Sequence, residues 1–181
     1  METGAPEQEA ALVARARRGD REAQDTLLRR YLADVYGLTK RLLREPDLAA
    51  DAAQDAMVNA MRGLGRFRGD ASFRTWLLRI AVNTARSAAR KRNRRREVDL
   101  EVVSELPDNG PDPDRATATR LEADRATKML ERLPPKQRLA VTLRIHSGLS
   151  YAEVARVMKS TEGAARVNYH LGIKKLRELL G

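Results

Sequence analysis

The stretch GLSYAEVARVMKSTEGAARVNYHLGIKKLRELL, residues 148–180, holds two helix starts in close succession. Ser150 followed three residues later by Glu153 is a capping box, in which a hydroxyl and a carboxylate satisfy backbone N–H groups that a helix start leaves without partners. A second start falls at Ser160 or Thr161, ahead of a run in which Ala165, Tyr169, Gly172, Leu176 and Leu179 share one face. That face places Tyr169 in a core. Arg166, His170 and Lys174 follow at steps of four on another face. Two capped helices joined by the turn Lys159-Ser160-Thr161 have the outline of a helix-turn-helix, the motif that lays its second helix in the DNA major groove. The same outline occurs in many helical proteins that never meet DNA. Charge favours DNA here: residues 115–181 carry 14 basic and 6 acidic side chains.

Outward from this stretch the charge comes in blocks. Residues 1–96 hold 21 basic and 12 acidic side chains, and residues 97–114 hold none and 7. The acidic stretch also contains Pro107, Gly110, Pro111 and Pro113, so it reads as a flexible linker. The expected organisation is one helical domain over residues 1–96, a linker over 97–117 and a second helical domain over 118–181. Val, Ile, Thr and Phe are scattered without alternation, so no strand is expected and the fold class is all-α. With 181 residues, a net charge of +10 and 42% hydrophobic residues, the chain can build a core and favours an anionic partner. The absence of cysteine excludes disulfides and thiol chemistry, and two histidines, His146 and His170, do not make a zinc site. No metal, cofactor, nucleophile-base pair or phosphate loop is read, so an enzyme is not expected. No apolar run is long enough to span a bilayer and METGAPEQEA lacks the features of a secretion signal, so the expected location is the cytoplasm.

In the first block, Leu28, Tyr31, Leu32, Val35, Thr39 and Leu42 fall at helical spacing, with a start at Asp20 or Arg21 and an end at Pro46. A second helix over 48–64 turns Ala49, Ala53, Ala56, Met57, Ala60, Met61 and Leu64 inward. Asp51, Gln54 and Asp55 then converge at i, i+3 and i+4 on its other side, as either a solvated face or a protein interface, but not a phosphate contact. A third helix begins with Ser72 as N-cap and runs into the tract of residues 90–96, six positive charges in seven residues, which calls for a polyanion.

Phe67, Phe73 and Trp76 are three of the seven aromatic residues and are interleaved with Arg66, Arg68, Arg74 and Arg79. Aromatic faces accept unstacked bases while arginines hold the phosphates of a single strand. Phe73 can equally be core; for Trp76 core is the alternative, set against the four nearby arginines. The loop over 65–71, with Gly65 and Gly69, can close around a base taken out of the duplex. Asn83, one turn beyond Arg79, carries an amide able to read an adenine edge.

The stretches AADAAQD (49–55), FRGDASFRTWL (67–77) and IAVN (80–83), followed by a basic tract, resemble region 2 of the extracytoplasmic-function sigma factors of bacterial RNA polymerase. GLSYAEVA (148–155) with KKLRELL (174–180) resembles region 4 of the same family. The order and spacing match over residues 11–96 and 126–180. The resemblance implies a dissociable polymerase subunit that reads the minus-ten and minus-thirty-five promoter elements and helps open DNA, held in check by an anti-sigma protein. It implies that Asp51, Gln54 and Asp55 dock on the clamp helices of the largest polymerase subunit, with the flap as a further polymerase contact.

The resemblance further assigns Phe67, Arg68, Phe73, Arg74, Trp76, Arg79, Asn83 and Arg86 to minus-ten binding and melting. Lys159, Ser160, Thr161, Glu162, Arg166, Val167, His170 and Lys174 are its minus-thirty-five readers. Arg79 and Ile80 stand where housekeeping sigma factors carry a tryptophan wedge, so only good promoters are expected to melt. Val167, Asn168, Leu171 and Ile173 depart from the basic or small polar residues common there, and Lys159 replaces the usual turn glycine. Val167 can touch a thymine methyl, or these apolar residues can face a protein. A free-standing helix-turn-helix regulator is the alternative, but it leaves the acidic patch and the aromatic loop idle.

Overall fold

The computed structural model describes residues 4–43, 45–100 and 128–180, and among them there are helices and no strands. Helix α1 (Gly4–Arg17), not expected from the sequence, packs Val13 and Ala16 into the core. It is tied to α2 (Arg21–Leu42) by the Tyr31 hydroxyl donating to Glu9 and by Gln24 Nε2 donating to the Ala16 carbonyl at 3.0 Å. Burial, and then the Glu9 bond, push the Tyr31 phenol well above its ordinary range. Asp20 caps α2 by accepting from Ala23 N at 3.1 Å.

The inward face of α2 is Ala23, Leu27, Tyr31, Val35 and Leu38, rotated from the expected one. Leu32 is 52% exposed, which corrects its reading as core. The rotation follows from the partners: α3 and α4 both pack on the Leu27–Val35 side, so the stripe that meets them sets the register. Pro46 does not end α2, which stops at Leu42 with Leu43 as its cap, but occupies the first turn of α3 (Pro46–Gly63), where its missing N–H costs nothing. Alanines 49, 52, 53, 56 and 60 on α3 are buried and allow close helix approach. Thr39 is buried too, its hydroxyl reaching the carbonyl of Ala49 at 2.9 Å.

A short 3₁₀ turn (Leu64–Arg66) and a loop lead to α4 (Phe73–Leu100). The Ser72 hydroxyl accepts from Thr75 N at 3.1 Å, as an N-cap should. The backbone of α4 stays helical through the basic tract to Leu100, so residues 97–100 extend a helix where a linker was expected. The remaining linker expectation, over 101–117, lies outside the described residues, as do residues 118–127 of the expected second domain.

In the second block a helical turn at 128–131 is followed by α5 (Pro135–Val141), a π-helical turn (Thr142–His146), α6 (Tyr151–Met158) and α7 (Glu162–Leu180). Gly148, at φ +65°, reverses the chain after the π turn, a conformation in which a Cβ would be strained. The capping box of Ser150 and Glu153 forms, and Thr161 is the residue that caps α7, accepting from Ala164 N at 3.2 Å. Between the two helices Lys159 takes left-handed angles, φ 54° and ψ 51°, the conformation that the missing glycine would have supplied at less cost.

Helices α5 and α7 approach so closely at Gly172 that an added Cβ would lie 2.6 Å from Val141 Cγ2. The two blocks are also joined. One buried cluster runs from Val13 and Leu27 through Phe73 and Leu77 to Leu143, Leu149, Val154 and Ala165. Docking is polar as well: Arg74 Nε reaches Asp34 Oδ2 and Arg74 Nη1 the Ser147 carbonyl, both at 2.6 Å.

Candidate nucleic-acid and polymerase interfaces

The acidic patch is built by the same periodicity that builds the core of α3. With Ala52, Ala53 and Ala56 buried, Asp51, Gln54 and Asp55 must face solvent, and all three are exposed. Asp51 and Asp55 form one wall of a groove between α3 and α4, whose other wall includes Ile80, Asn83, Lys91, Arg92 and Arg95. Apolar Leu48 and Ala52 form part of the floor, so a partner helix entering here meets carboxylates on one side and cations on the other.

The residues assigned to the minus-ten element do not form one surface. Phe67, Arg68, Trp76 and Arg79 line a cavity of about 690 Å³ together with Gly65, Arg66, Gly69 and Asp70, within the size range of small-ligand sites. Gly69 sits at φ +81°, which turns the loop over 65–71 back on itself. Behind this cavity the aromatic residues form a cluster. Phe67 meets Phe73 edge-on at 5.8 Å, Trp76 lies 5.2 Å from Phe67, and Tyr31 lies 5.6 Å from Phe73. Phe73 is 3% and Phe67 8% exposed, so the structure turns these two rings into the core and leaves Trp76 as the half-buried ring at the cavity. Arg74 is turned away to Asp34 and Ser147. Asn83, exposed, lines the α3–α4 groove beside Asp51 and Asp55, and Arg86 lines a different groove against Leu42, Leu43 and Leu139.

Two contributors to this region were not read from the sequence. Arg156, on α6 of the second block, lines the same cavity with Trp76 and Arg79. Thr75 is buried beneath it, its hydroxyl 2.9 Å from Glu153 Oε1. Burial alone would raise the Glu153 carboxyl. Its bonds from the Ser150 backbone and hydroxyl and from Thr75 outweigh that and hold it below the usual carboxylate range. No periodicity could have revealed these contacts, because they join residues 78 positions apart.

The residues assigned to the minus-thirty-five element do share a surface. Lys159, Ser160, Thr161, Glu162, Arg166, Val167, His170 and Lys174 are all exposed, along the turn and one side of α7. Arg166 Nη2 bonds Glu162 at 3.0 Å, and its guanidinium carbon stands 4.9 Å from the centre of the Tyr151 ring. Tyr169 is half-buried and packs edge-on against Tyr151 at 5.6 Å, consistent with an inward role. Val167 is 57% and Leu171 48% exposed, an apolar strip beside the basic one. Among the described residues no group of His, Asp and Glu is arranged to hold a metal, and no helix is long and apolar enough to cross a membrane.

Comparison with known proteins accounts for both blocks. Residues 27–95 match the model of Sigma-70 region 2 and residues 123–176 that of Sigma-70 region 4. The chain is 37% identical over 169 residues to the RNA polymerase sigma-H factor of Pseudomonas aeruginosa, covering 88% of this chain and 87% of that protein. It is 35% identical to the ECF RNA polymerase sigma-E factor of Escherichia coli K12, over 86% and 85% of the two chains. Its fold is similar to that of CnrH in complex with the cytosolic domain of CnrY, at a TM-score of 0.73, 26% identity and coverage of 94% and 95%. It is also similar to the sigma factor RpoE bound to the anti-sigma factor NepR from Bartonella quintana, at a TM-score of 0.70, 25% identity and coverage of 86% and 95%. The helical fold, the two matched regions in order and the length of these alignments agree: the chain belongs to the extracytoplasmic-function group of the sigma-70 family.

Proposed function

We infer that this alternative sigma factor, which binds core RNA polymerase, directs it to specific promoters and assists their opening, divides that work between its blocks. Residues 1–96 hold the polymerase through Asp51, Gln54 and Asp55 and take the minus-ten strand at Trp76, Arg68 and Arg79. Residues 118–181 read the minus-thirty-five element in duplex form through the turn at Lys159 and the basic side of α7. The chain acts in the bacterial cytoplasm, has no catalytic role of its own, and is restrained by an anti-sigma protein.

One observation carries this reading above a free-standing regulator. Asp51, Gln54 and Asp55 are exposed on a block with a net positive charge, beside a groove with an apolar floor. The two carboxylates cannot contact phosphate, which favours a protein as the partner of this side of the groove. Co-purification of the full chain with core polymerase, followed by transcription from a promoter selected by the complex, tests it. Binding with promoter-dependent initiation is expected, and failure of both overturns the assignment.

A further inference from the structure

Tyr151, at the first position of α6, stands among cations. The guanidinium carbon of Arg144 lies 5.0 Å and that of Arg166 4.9 Å from the centre of its ring. Each arginine has a second anchor. Arg144 Nη1 donates to the Leu149 carbonyl at 3.0 Å, and Arg166 Nη2 to Glu162 Oε1 at 3.0 Å. The ring is itself wedged against Tyr169 and His170 of α7, with centroids 5.6 and 6.3 Å away. These contacts hold the ring beside its cations.

A free arginine on a helix surface has four rotatable bonds to immobilise before it can make a bidentate contact. Arg166 has part of that freedom removed in advance, by a ring on one side and a carboxylate one turn back on its own helix. The geometry points to Tyr151 as a positioning residue for DNA reading. It does not touch DNA; it holds the Arg166 guanidinium at the start of α7, where a phosphate or a guanine edge can take over the bond now made to Glu162. Arg144, on the same ring, ties the arrangement to the π turn, so the elements before α6 and the reading helix are set with respect to each other. The sequence offered Tyr151 only as part of a short matched stretch, with no role. This inference rests on α7 being the helix that reads duplex DNA.

The test uses the full-length chain bound to core polymerase and one duplex selected by that complex from a random pool. Tyr151→Leu is expected to weaken binding about three- to fivefold, Tyr151→Phe to stay within about twofold because the ring is kept, and Arg166→Ala to weaken it about tenfold. Tyr151→Leu combined with Arg166→Ala should be no weaker than Arg166→Ala alone, since a positioning residue has nothing left to position. Additive losses in the double variant, or full affinity in Tyr151→Leu, would overturn the proposal. Should Tyr151→Leu unfold, the wild-type and Tyr151→Phe chains decide by NMR: ring-current shifts on the Arg166 side chain are expected in both, and random-coil positions would overturn it. Core binding measured in parallel keeps this outcome separate from the sigma assignment.

Discussion

The hydroxyl of Thr75, on α4, lies 2.9 Å from Oε1 of Glu153, on α6, while Oε2 of the same carboxylate accepts from the backbone and hydroxyl of Ser150 at 2.8 Å. One side chain thus starts the helix-turn-helix and fastens it to the other block. Thr75 also carries part of the cap of α4, through Ser72. The contact lies at the edge of the cavity lined by Trp76 and Arg79, which Arg156 reaches from the second block.

Thr75→Val keeps the shape of this contact and removes its donor, so a stability loss of about 1–2 kcal/mol is expected in urea unfolding. Glu153→Ala also removes the capping box and should cost about 1 kcal/mol more. Equal losses for the two variants would mean that the capping box adds nothing, and an unchanged Thr75→Val would mean that the interblock bond contributes nothing.

Gly172→Ala sets two effects against each other. Helix propensity favours alanine by about 1 kcal/mol, but the new Cβ would stand 2.6 Å from Val141 Cγ2 and 3.4 Å from both Cβ and the carbonyl oxygen of Gln137. Overpacking of this kind costs about 1–3 kcal/mol, so a lower melting temperature is expected, partly restored by Val141→Ala. A higher melting temperature in Gly172→Ala alone would contradict the close approach of α5 and α7.

Lys159→Gly relieves a left-handed residue and should stabilise the chain by about 0.5–1 kcal/mol. If Lys159 contacts a phosphate, the same change weakens DNA binding and reduces the slope of log affinity against log salt by about one. Both are measurable on one preparation, by thermal melting and by a salt titration of duplex binding.

Asp51→Arg with Asp55→Arg reverses charge on two exposed side chains. Stability is expected to change by no more than about 0.5 kcal/mol per site, while pull-down of core polymerase is lost. Unchanged pull-down would remove the patch from the polymerase interface.

His146 supplies a pH dependence. Its ring Nε2 lies 2.9 Å from where a Cβ on Gly37 would stand, although the residue stays open to solvent on its outer side. Burial of this inner edge, and then the nearby Arg41 and Arg74, hold its pKa below the ordinary 6.5 against the opposing pull of Asp34. The unfolded chain therefore takes up the proton first. Stability is undiminished above about pH 6.5 and falls as the pH drops below it, levelling off once the folded form is protonated as well. His146→Gln should flatten unfolding midpoints between about pH 7 and 5. An unchanged slope would mean that the ring is not held at the interface.

Much of this protein was legible in its residues alone, because the signals involved are local. Capping chemistry placed the starts of α2, α4, α6 and α7, with Ser150 and Glu153 pairing as expected. Alanine spacing in α3 placed Asp51, Gln54 and Asp55 together on the exposed side. What neighbours in space decide was beyond reach. Which stripe of α2 faces inward depends on where α3 and α4 lie, so Leu32 was misplaced and Leu27 overlooked. Phe67, Phe73 and Trp76 have the same local pattern whether they stack on bases or on one another, and packing buried the first two while leaving the third at a cavity. The bonds of Arg74 to Asp34 and Ser147, and of Thr75 to Glu153, join chain segments 40 to 78 residues apart. Periodicity records only which way a side chain points from its own helix; the partner it meets is set by how the helices pack.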